Sequence, residues 1–257
     1  MNKKQKAPVV IVGIGEIGSV MARGFLRTGR PVIPVTRNMD LSLQAELTPQ
    51  AEAVIVAVGE TALPEVLENM PGVWKDRLIL IQNELLPKDW QAFDLQPTVI
   101  SVWFEKKKGQ DVKVVVPSPI YGQHAKLLAE ALAELDIPTE ILTDYEQLVF
   151  ELLRKNYYIL TSNIAGLKYG GTVGELWAKH QDFVEKILAE IQQVQEYLVA
   201  KKIDHDALTR AMLVAFEGDP EHGCMGRSAP ARLQRVLAIA DEAGLKLPTL
   251  ESLASEI

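Results

Sequence analysis

The fold of this chain is decided by residues 9–18, which read Val9-Val10-Ile11-Val12-Gly13-Ile14-Gly15-Glu16-Ile17-Gly18. The four apolar residues at the start have the length and composition of a buried parallel strand. A G-x-G-x-x-G turn follows directly, and apolar residues then recur at helical spacing at Ile17, Val20, Met21 and Phe25. Strand, glycine-rich turn and helix in this order are the context in which such a motif binds a dinucleotide.

If the motif binds a dinucleotide, each of its glycines has a distinct structural role. Gly13 permits the tight turn, Gly15 lets the backbone approach a pyrophosphate, and Gly18 lets the helix pack closely on the strand. The N–H groups at the helix start and the positive end of the helix dipole then face the phosphates. The alternative is a glycine-rich turn with a purely structural role. The predicted cofactor-binding residues here are Gly13, Ile14, Gly15, Glu16, Ile17 and Gly18.

The residues after the second predicted strand bear on which cofactor is bound. An NAD site usually carries an acidic residue about 20 residues past the motif, where it binds the ribose 2′-hydroxyl. This chain has Thr36-Arg37-Asn38 at that point. A guanidinium matches the geometry of a phosphate group, so Arg37 predicts NADP(H). Asp40 is the residue that would favour NAD instead.

Composition excludes several classes of partner. The 257 residues allow one large domain or two modest ones, and 34 acidic against 27 basic residues give a net charge of −7. This net negative charge does not indicate the positively charged surface that binds nucleic acid or an anionic membrane. No apolar stretch approaches the length of a membrane span. A single cysteine, Cys224, leaves no internal disulfide and fits a cytoplasmic location.

The first half of the chain alternates strands and helices. We predict strands at residues 9–12, 31–35, 53–58, 78–82, 98–103, 112–116 and 139–142, with a hairpin-like turn at 106–109. Helices are predicted at 61–69 and 119–135 as well as after the glycine motif. This alternation predicts an α/β fold with a Rossmann-type, doubly wound parallel sheet over residues 1–143. The carboxyl ends of the strands, including Asn83, should line the ligand crevice.

Strand patterning disappears after Asp144. Helices are predicted at 144–167, 172–202, 204–216 and 229–243, followed by a helical tail. The second half, residues 144–257, is therefore predicted to be an all-helical domain. An apolar stripe within residues 173–200 fits either its core or a subunit contact, so a homodimer is left open.

Four segments carry a family resemblance. The glycine motif is followed by Arg37, and Gln82-Asn83 ends the predicted fourth strand. Glu151-Leu152-Leu153-Arg154-Lys155 opens the helical half, with Asn163 and Thr172-Val173-Gly174-Glu175-Leu176 after it. Ala243-Gly244-Leu245-Lys246-Leu247-Pro248 precedes the last helix. In this order, and over most of its length, the chain resembles the ketopantoate (2-dehydropantoate) reductase family.

The resemblance implies an NADPH-binding domain and a helical domain that together act on a small 2-keto acid. The family lysine that matches Lys155 donates a proton while hydride goes to the carbonyl carbon. The family asparagine that matches Asn83 lies near the nicotinamide and the substrate, and Asn163 also matches a family asparagine. An ammonium suits the first role, because hydride arrival leaves negative charge on the carbonyl oxygen.

The chain also departs from the family at polar positions. Ile159 stands where the family has a second asparagine, four residues after its lysine. Ser228 lies sixteen residues before Gly244, where the family has a glutamate that binds the substrate hydroxyl. Glu84 replaces a family glycine, and Glu60 replaces a family lysine. Losing a polar group from a substrate site changes specificity by orders of magnitude, so the predicted substrate is a 2-keto acid or related carbonyl compound other than ketopantoate.

Residues 217–227 contain one histidine and one cysteine, which without further ligands do not predict a metal site. We instead expect Arg227 or Arg232 to face an anionic substrate, with Ser228 and Asn163 as further substrate-binding residues. The rival function is a catalytically silent NADP(H)-binding sensor or regulatory protein of the same fold. A third possibility, an imine or prephenate-type dehydrogenase, fits the segment ending at Lys155 less well.

Overall fold

The computed structural model describes residues 6–256, and the chain forms two compact units, Met1–Glu151 and Leu152–Ile257. The first unit contains all nine strands of the described residues: β1 Val9–Val12, β2 Val32–Val35, β3 Ala53–Val56, β4 Leu78–Leu80, β5 Thr98–Ile100, β6 Phe104–Glu105, β7 Lys113–Val114, β8 Ser118–Tyr121 and β9 Thr139–Ile141. Its helices are α1 Glu16–Arg27, α2 Leu41–Leu47, α3 Leu63–Glu68, α4 Lys88–Gln91 and α5 Ala125–Ala133, with 3-10 turns at Glu60–Ala62 and Gly72–Arg77.

Seven of these strands form one sheet in the order β2-β1-β3-β4-β5-β8-β9. The first five are parallel, β8 runs antiparallel to β5, and β9 is parallel to β8. The chain moves from β1 outward to β2 and then returns to the other side of β1 for β3, so the strand order reverses there. Such a switch point leaves a crevice at the carboxyl ends of the strands. The predicted Rossmann-type, doubly wound fold is confirmed.

The core of the first unit lies between the sheet and helices α1 and α5. Val9 and Ile11 of β1 are completely buried, as are Phe25 of α1 and Leu128 of α5. The two helices approach closely, since a Cβ atom on Gly24 would lie 2.5 Å from the carbonyl oxygen of Ala131. This close contact fixes the second half of α1 against α5.

The sequence prediction is wrong over part of residues 98–135. Strand β5 ends at Ile100, and β6 and β7 pair with each other as a separate hairpin. The predicted helix at 119–135 begins only at Ala125, because Ser118–Tyr121 forms β8 in the middle of the sheet. Proline favours a helix start over a central strand, but here the carbonyl of Pro119 accepts a hydrogen bond from the Ser101 N–H at 3.0 Å. Long-range pairing overrides the local preference.

The second unit is helical, as predicted. Its helices are the part of α6 (Tyr145–Tyr169) from residue 152 onward, α7 Val173–Val199, α8 His205–Gly218, α9 Ala229–Ala243 and α10 Pro248–Glu256. Thr172 and Glu175 form a reciprocal capping box at the start of α7. The Asp204 side chain caps α8 by accepting from the Ala207 N–H, and Gly244 ends α9 in the left-handed conformation.

Buried polar side chains fix the packing of these helices. The Glu190 carboxylate of α7 accepts hydrogen bonds from the N–H groups of Thr249 and Leu250 at 2.8 and 2.9 Å, and so binds the first turn of α10. Asn156 of α6 donates to Gln195 of α7 at 3.0 Å. Within residues 6–256, no helix combines the length and hydrophobicity required to cross a membrane.

Candidate functional site

A cleft of about 980 Å³ opens at the carboxyl ends of β1, β2 and β3. The glycine-rich turn, the residues after β2 and the residues after β3 all border it, among them Gly13, Ile14, Gly15, Arg37, Asp40 and Gly59. The cleft therefore brings together the predicted pyrophosphate-binding turn and the predicted 2′-phosphate ligand, which are separated by about 20 residues in the sequence.

The glycine-rich turn has the geometry that its sequence predicts. Gly13 has a φ of +95°, and a Cβ atom there would lie 2.7 Å from the carbonyl oxygen of Ala57. A Cβ atom on Gly18 would lie 2.1 Å from the carbonyl oxygen of Gly13, so α1 packs directly on the turn. Around Gly15, by contrast, nothing lies within 4 Å of the Cβ position. The turn is tightly packed on its protein side and open at Gly15, the position where a pyrophosphate would approach.

The start of α1 provides donors for such an anion. The cap residue Gly15 has no side chain to satisfy the first N–H groups of the helix. Glu16 and Ile17 follow as the first two helical residues, and Ile17 also packs against the core. The residues present thus fit the phosphates of a dinucleotide, although Glu16 adds a negative charge at the same point.

Arg37 lies just beyond the end of β2. Its side chain is exposed at the cleft and makes no ion pair or hydrogen bond with a described residue. Asp40 lies on the same cleft but has a structural task, because its carboxylate accepts a hydrogen bond at 3.0 Å from the Leu43 N–H and caps α2. Asp40, the acidic residue that would have favoured NAD, is therefore hydrogen-bonded to the backbone.

Asn83 follows β4 at the same edge of the sheet, but it does not line this cleft. The preceding residue, Gln82, is buried and fixes the local backbone. Its amide donates to the Val56 carbonyl at 2.7 Å and accepts from the Ile81 N–H at 3.1 Å. Glu84 then adopts a left-handed conformation with a φ of +57°. The partly buried Asn83 is held between these two residues.

Lys155 is the most perturbed cation of the second unit. It lies on α6, is partly buried, and has its ammonium 5.6 Å from the centre of the Tyr158 ring. Burial lowers the pKa of Lys155 to about 7, and the nearby positive charges of Arg232 and Arg154 act in the same direction. Arg154 is itself fixed by donating to the Ala211 carbonyl of α8 at 2.8 Å.

Asn163 lies further along α6 and contacts α9. Its Oδ1 accepts a hydrogen bond at 2.9 Å from Arg232, whose side chain is buried. A Cβ atom on Gly226 would lie 3.6 Å from the same Oδ1, so the loop before α9 also approaches Asn163. Lys155, Asn163 and Arg232 therefore form one polar cluster between α6 and α9.

The other predicted substrate residues lie at the start of α9. Arg227 and Ser228 are both exposed, and Ser228 occupies the N-cap position without a capping side-chain hydrogen bond. Ile159, by contrast, is buried and apolar. In the preceding loop, burial and the charge of Glu175 raise the pKa of the Cys224 thiol to about 11, which keeps it protonated and unreactive near neutral pH.

Two features of the cluster were not foreseen from the sequence. The link between Asn163 and Arg232 joins residues 69 positions apart, and no local pattern signals it. Tyr158, three residues after Lys155, is buried against it, and the i, i+3 spacing on a helix is a signal that could have found this contact.

Comparisons with known proteins identify the fold. The chain superposes on a ketopantoate reductase of the PanE/ApbA family from Ralstonia eutropha JMP134 with a TM-score of 0.67 and 16% identity over 96% of both chains. A D-mandelate dehydrogenase in complex with NADH and anilino(oxo)acetate gives a TM-score of 0.65 and 13% identity over 96% of both chains. A dimeric ketopantoate reductase from Staphylococcus aureus gives 0.59 and 16%, again over 96% of both chains.

No protein-family model and no curated protein sequence matches the chain. The structural likeness nevertheless covers 96% of this chain and therefore extends over both of its units. The chain therefore has the fold of the ketopantoate reductases, with the sequence of a strongly divergent protein.

Proposed function

We propose that this protein is an NADP(H)-dependent oxidoreductase that reduces the carbonyl group of a small 2-keto acid or a related compound other than ketopantoate. The observation that carries the proposal is Lys155, whose pKa of about 7 suits a proton donor at neutral pH. Strongly perturbed pKa values are concentrated at functional sites. The cleft at the glycine-rich turn supports the cofactor assignment.

The cofactor would be held by the first unit. The turn at residues 13–18 and the start of α1 would bind its pyrophosphate, and Arg37 would bind the 2′-phosphate of its adenosine ribose. When bound, the nicotinamide would supply the hydride. Asn83 would orient the reacting groups through its neutral amide, on a backbone fixed by the hydrogen bonds of Gln82.

Lys155 would supply the proton. A carbonyl oxygen gains negative charge as hydride reaches its carbon, and an ammonium near that oxygen both stabilises the charge and neutralises it by proton transfer. A pKa lowered to about 7 gives Lys155 access to both its protonated and its neutral form near neutral pH. The lysine would thus release its proton far more readily than a solvent-exposed lysine.

The charges around Lys155 favour an anionic substrate. Arg232 is close enough to lower the pKa of Lys155, so two cations face the same region of the second unit. A carboxylate next to the reacting carbonyl would interact favourably with both cations, and Arg227 at the start of α9 would add to the attraction. Asn163 holds Arg232, and Ser228 offers a hydroxyl nearby in sequence. The buried Ile159 supplies no amide for a substrate hydroxyl, which disfavours ketopantoate.

The test is NADPH oxidation, followed by absorbance, with a panel of 2-keto acids that have aliphatic and aromatic side chains and that includes ketopantoate. We expect turnover with at least one member, weak turnover with ketopantoate, and a decline in kcat/KM as the pH rises through about 7 because the ammonium form is required. Lys155→Met should lower kcat about 100-fold or more. Lys186→Met, at an exposed position of α7, is the matched control and should retain full activity.

The rival sensor function makes a different prediction in the same assay. A silent NADP(H)-binding protein would bind NADPH, leave every 2-keto acid unreduced, and show no dependence on Lys155. The replacement of two family polar residues by Ile159 and Ser228 is the observation that favours it. The dimeric Staphylococcus aureus neighbour supports a homodimer for either function.

A further inference from the structure

The β6–β7 hairpin carries three consecutive lysines, Lys106, Lys107 and Lys108, and they differ in environment. Lys107 and Lys108 are exposed, whereas only 18% of the Lys106 side chain is accessible. The hairpin is anchored in the core by Phe104, which is 5% exposed. Lys106 therefore has a position fixed by the fold, unlike an ordinary lysine at a loop tip.

Lys106 contacts the glycine-rich turn. Its ammonium lies 3.5 Å from the Glu16 carboxylate and donates a hydrogen bond at 2.8 Å to the Lys107 carbonyl. Glu16 is both the fourth residue of the G-x-G-x-x-G motif and the first residue of α1. The hairpin thus holds a cation beside the helix start that is proposed to bind a pyrophosphate.

The charges around the cleft favour a second cationic partner, besides Arg37, for the phosphates of a bound dinucleotide. Among the described residues that line the cleft, Arg37 is the one basic residue, whereas Asp40 and Glu65 are acidic. Glu16 adds a further negative charge at the helix start. A dinucleotide with two or three phosphate groups would meet a net negative surface if Arg37 were its only cationic partner, because like charges in a partly desolvated site repel each other strongly.

We propose that Lys106 is a ligand of the cofactor's pyrophosphate, held at the glycine-rich turn by Glu16 until the phosphates bind. This rests on the proposed function, and it adds a residue from outside the motif to the binding site. A pyrophosphate offers the ammonium a stronger partner than a half-exposed carboxylate does. Lys106 would also shield the phosphates from the charge of Glu16.

Both NADPH and NADH contain the pyrophosphate, but only NADPH contains the 2′-phosphate. Calorimetric titration with each cofactor therefore shows which of the two groups a residue binds. Lys106→Met should weaken the binding of both cofactors by the same factor, about tenfold, because both contain the pyrophosphate. The control Lys108→Met removes an equal charge from the same hairpin and should leave both affinities unchanged. Glu16→Gln should increase both affinities, because it removes the repulsion and keeps the lysine.

Each other outcome has a defined meaning. If the wild-type protein binds neither cofactor, the proposed function fails. If it binds NADPH and Lys106→Met binds equally well, with its thermal unfolding unchanged, Lys106 does not contact the phosphates and the inference is overturned. Equal losses of affinity in Lys106→Met and Glu16→Gln would show that the ion pair only shapes the turn, which also overturns it.

Discussion

At the level of a single residue, Arg37 is the side chain that we propose to determine cofactor choice. Its guanidinium is exposed on the cleft, free of described partners, while the neighbouring Asp40 is engaged in capping α2. We expect wild-type protein to bind NADPH at least tenfold more tightly than NADH, about 1.4 kcal/mol or more. Arg37→Met should abolish that preference and leave the affinity for NADH nearly unchanged. A variant that loses both affinities equally would argue against a 2′-phosphate contact; isothermal titration calorimetry measures both.

The sequence predicts which residues lie together at the cleft better than it predicts the surroundings of Lys155. Gly13, Gly15 and Arg37 could be assigned to one cleft because a strand–turn–helix motif has a fixed local geometry. The identity of Lys155 comes from the family resemblance. The lowered pKa of Lys155 cannot be read from the sequence. It depends on burial and on Arg232, which lies 77 residues further along the chain. Long-range packing of this kind has no local signal.

At the level of elements, the turn after β4 contains a conformational strain that a substitution can test. Glu84 has a φ of +57° at the position where the resemblance places a glycine. A left-handed conformation costs a residue with a Cβ atom about 1–2 kcal/mol. We expect Glu84→Gly to raise the free energy of unfolding by about 0.5–1 kcal/mol, since part of that gain is lost to the greater flexibility of unfolded glycine.

The control for this prediction is Glu68→Gly at an exposed position of α3. There the backbone is helical, and Glu68 is the last residue of the helix, so the same substitution should lower the free energy of unfolding by up to about 1 kcal/mol. Chemical denaturation of both variants gives the two values. If Glu84→Gly destabilises the protein as much as Glu68→Gly does, the side-chain contacts of Glu84 outweigh its backbone strain.

Helices and strands could be predicted from the sequence where the local sequence pattern agrees with the contacts made in the folded protein. The prediction of α9 at residues 229–243 is confirmed to the residue, because Pro230 near its start and Gly244 after its end mark both boundaries. Strand β8 was missed because its proline, Pro119, contradicts its place between β5 and β9. Helix α2 was missed because seven residues with two exposed leucines, Leu43 and Leu47, give only a weak helical period.

At the scale of the whole molecule, the chain combines the fold of the ketopantoate reductases with a sequence that differs from theirs at most positions. The neighbours share 13–16% identity with this chain yet match 96% of it. The chain has the turn at Gly13–Gly18, the apolar strands and a helical second unit. At Ile159 and Ser228 it differs from the polar residues that the resemblance assigns to substrate binding. These features support the proposal of a nicotinamide cofactor combined with a substrate other than ketopantoate.

Lys155 should also lower the free energy of unfolding of the whole protein. Burial lowers the pKa of Lys155 from its ordinary 10.5 to about 7, so the unfolded chain binds more protons than the folded one between these two pH values. Stability therefore rises with pH across this range, because the cost of the buried ammonium is largest below pH 7 and disappears towards pH 10.5.

Replacing Lys155 by methionine removes this cost while it retains most of the side-chain volume. Lys155→Met should therefore be more stable than the wild type at pH 6, and this advantage should shrink steadily between pH 7 and pH 10. Urea denaturation followed by far-UV circular dichroism across this range measures it, with Lys186→Met as the exposed control that should show no such trend. A stability difference that stays constant with pH would mean that the pKa of Lys155 is not lowered, and the proton-donor role would lose its physical basis.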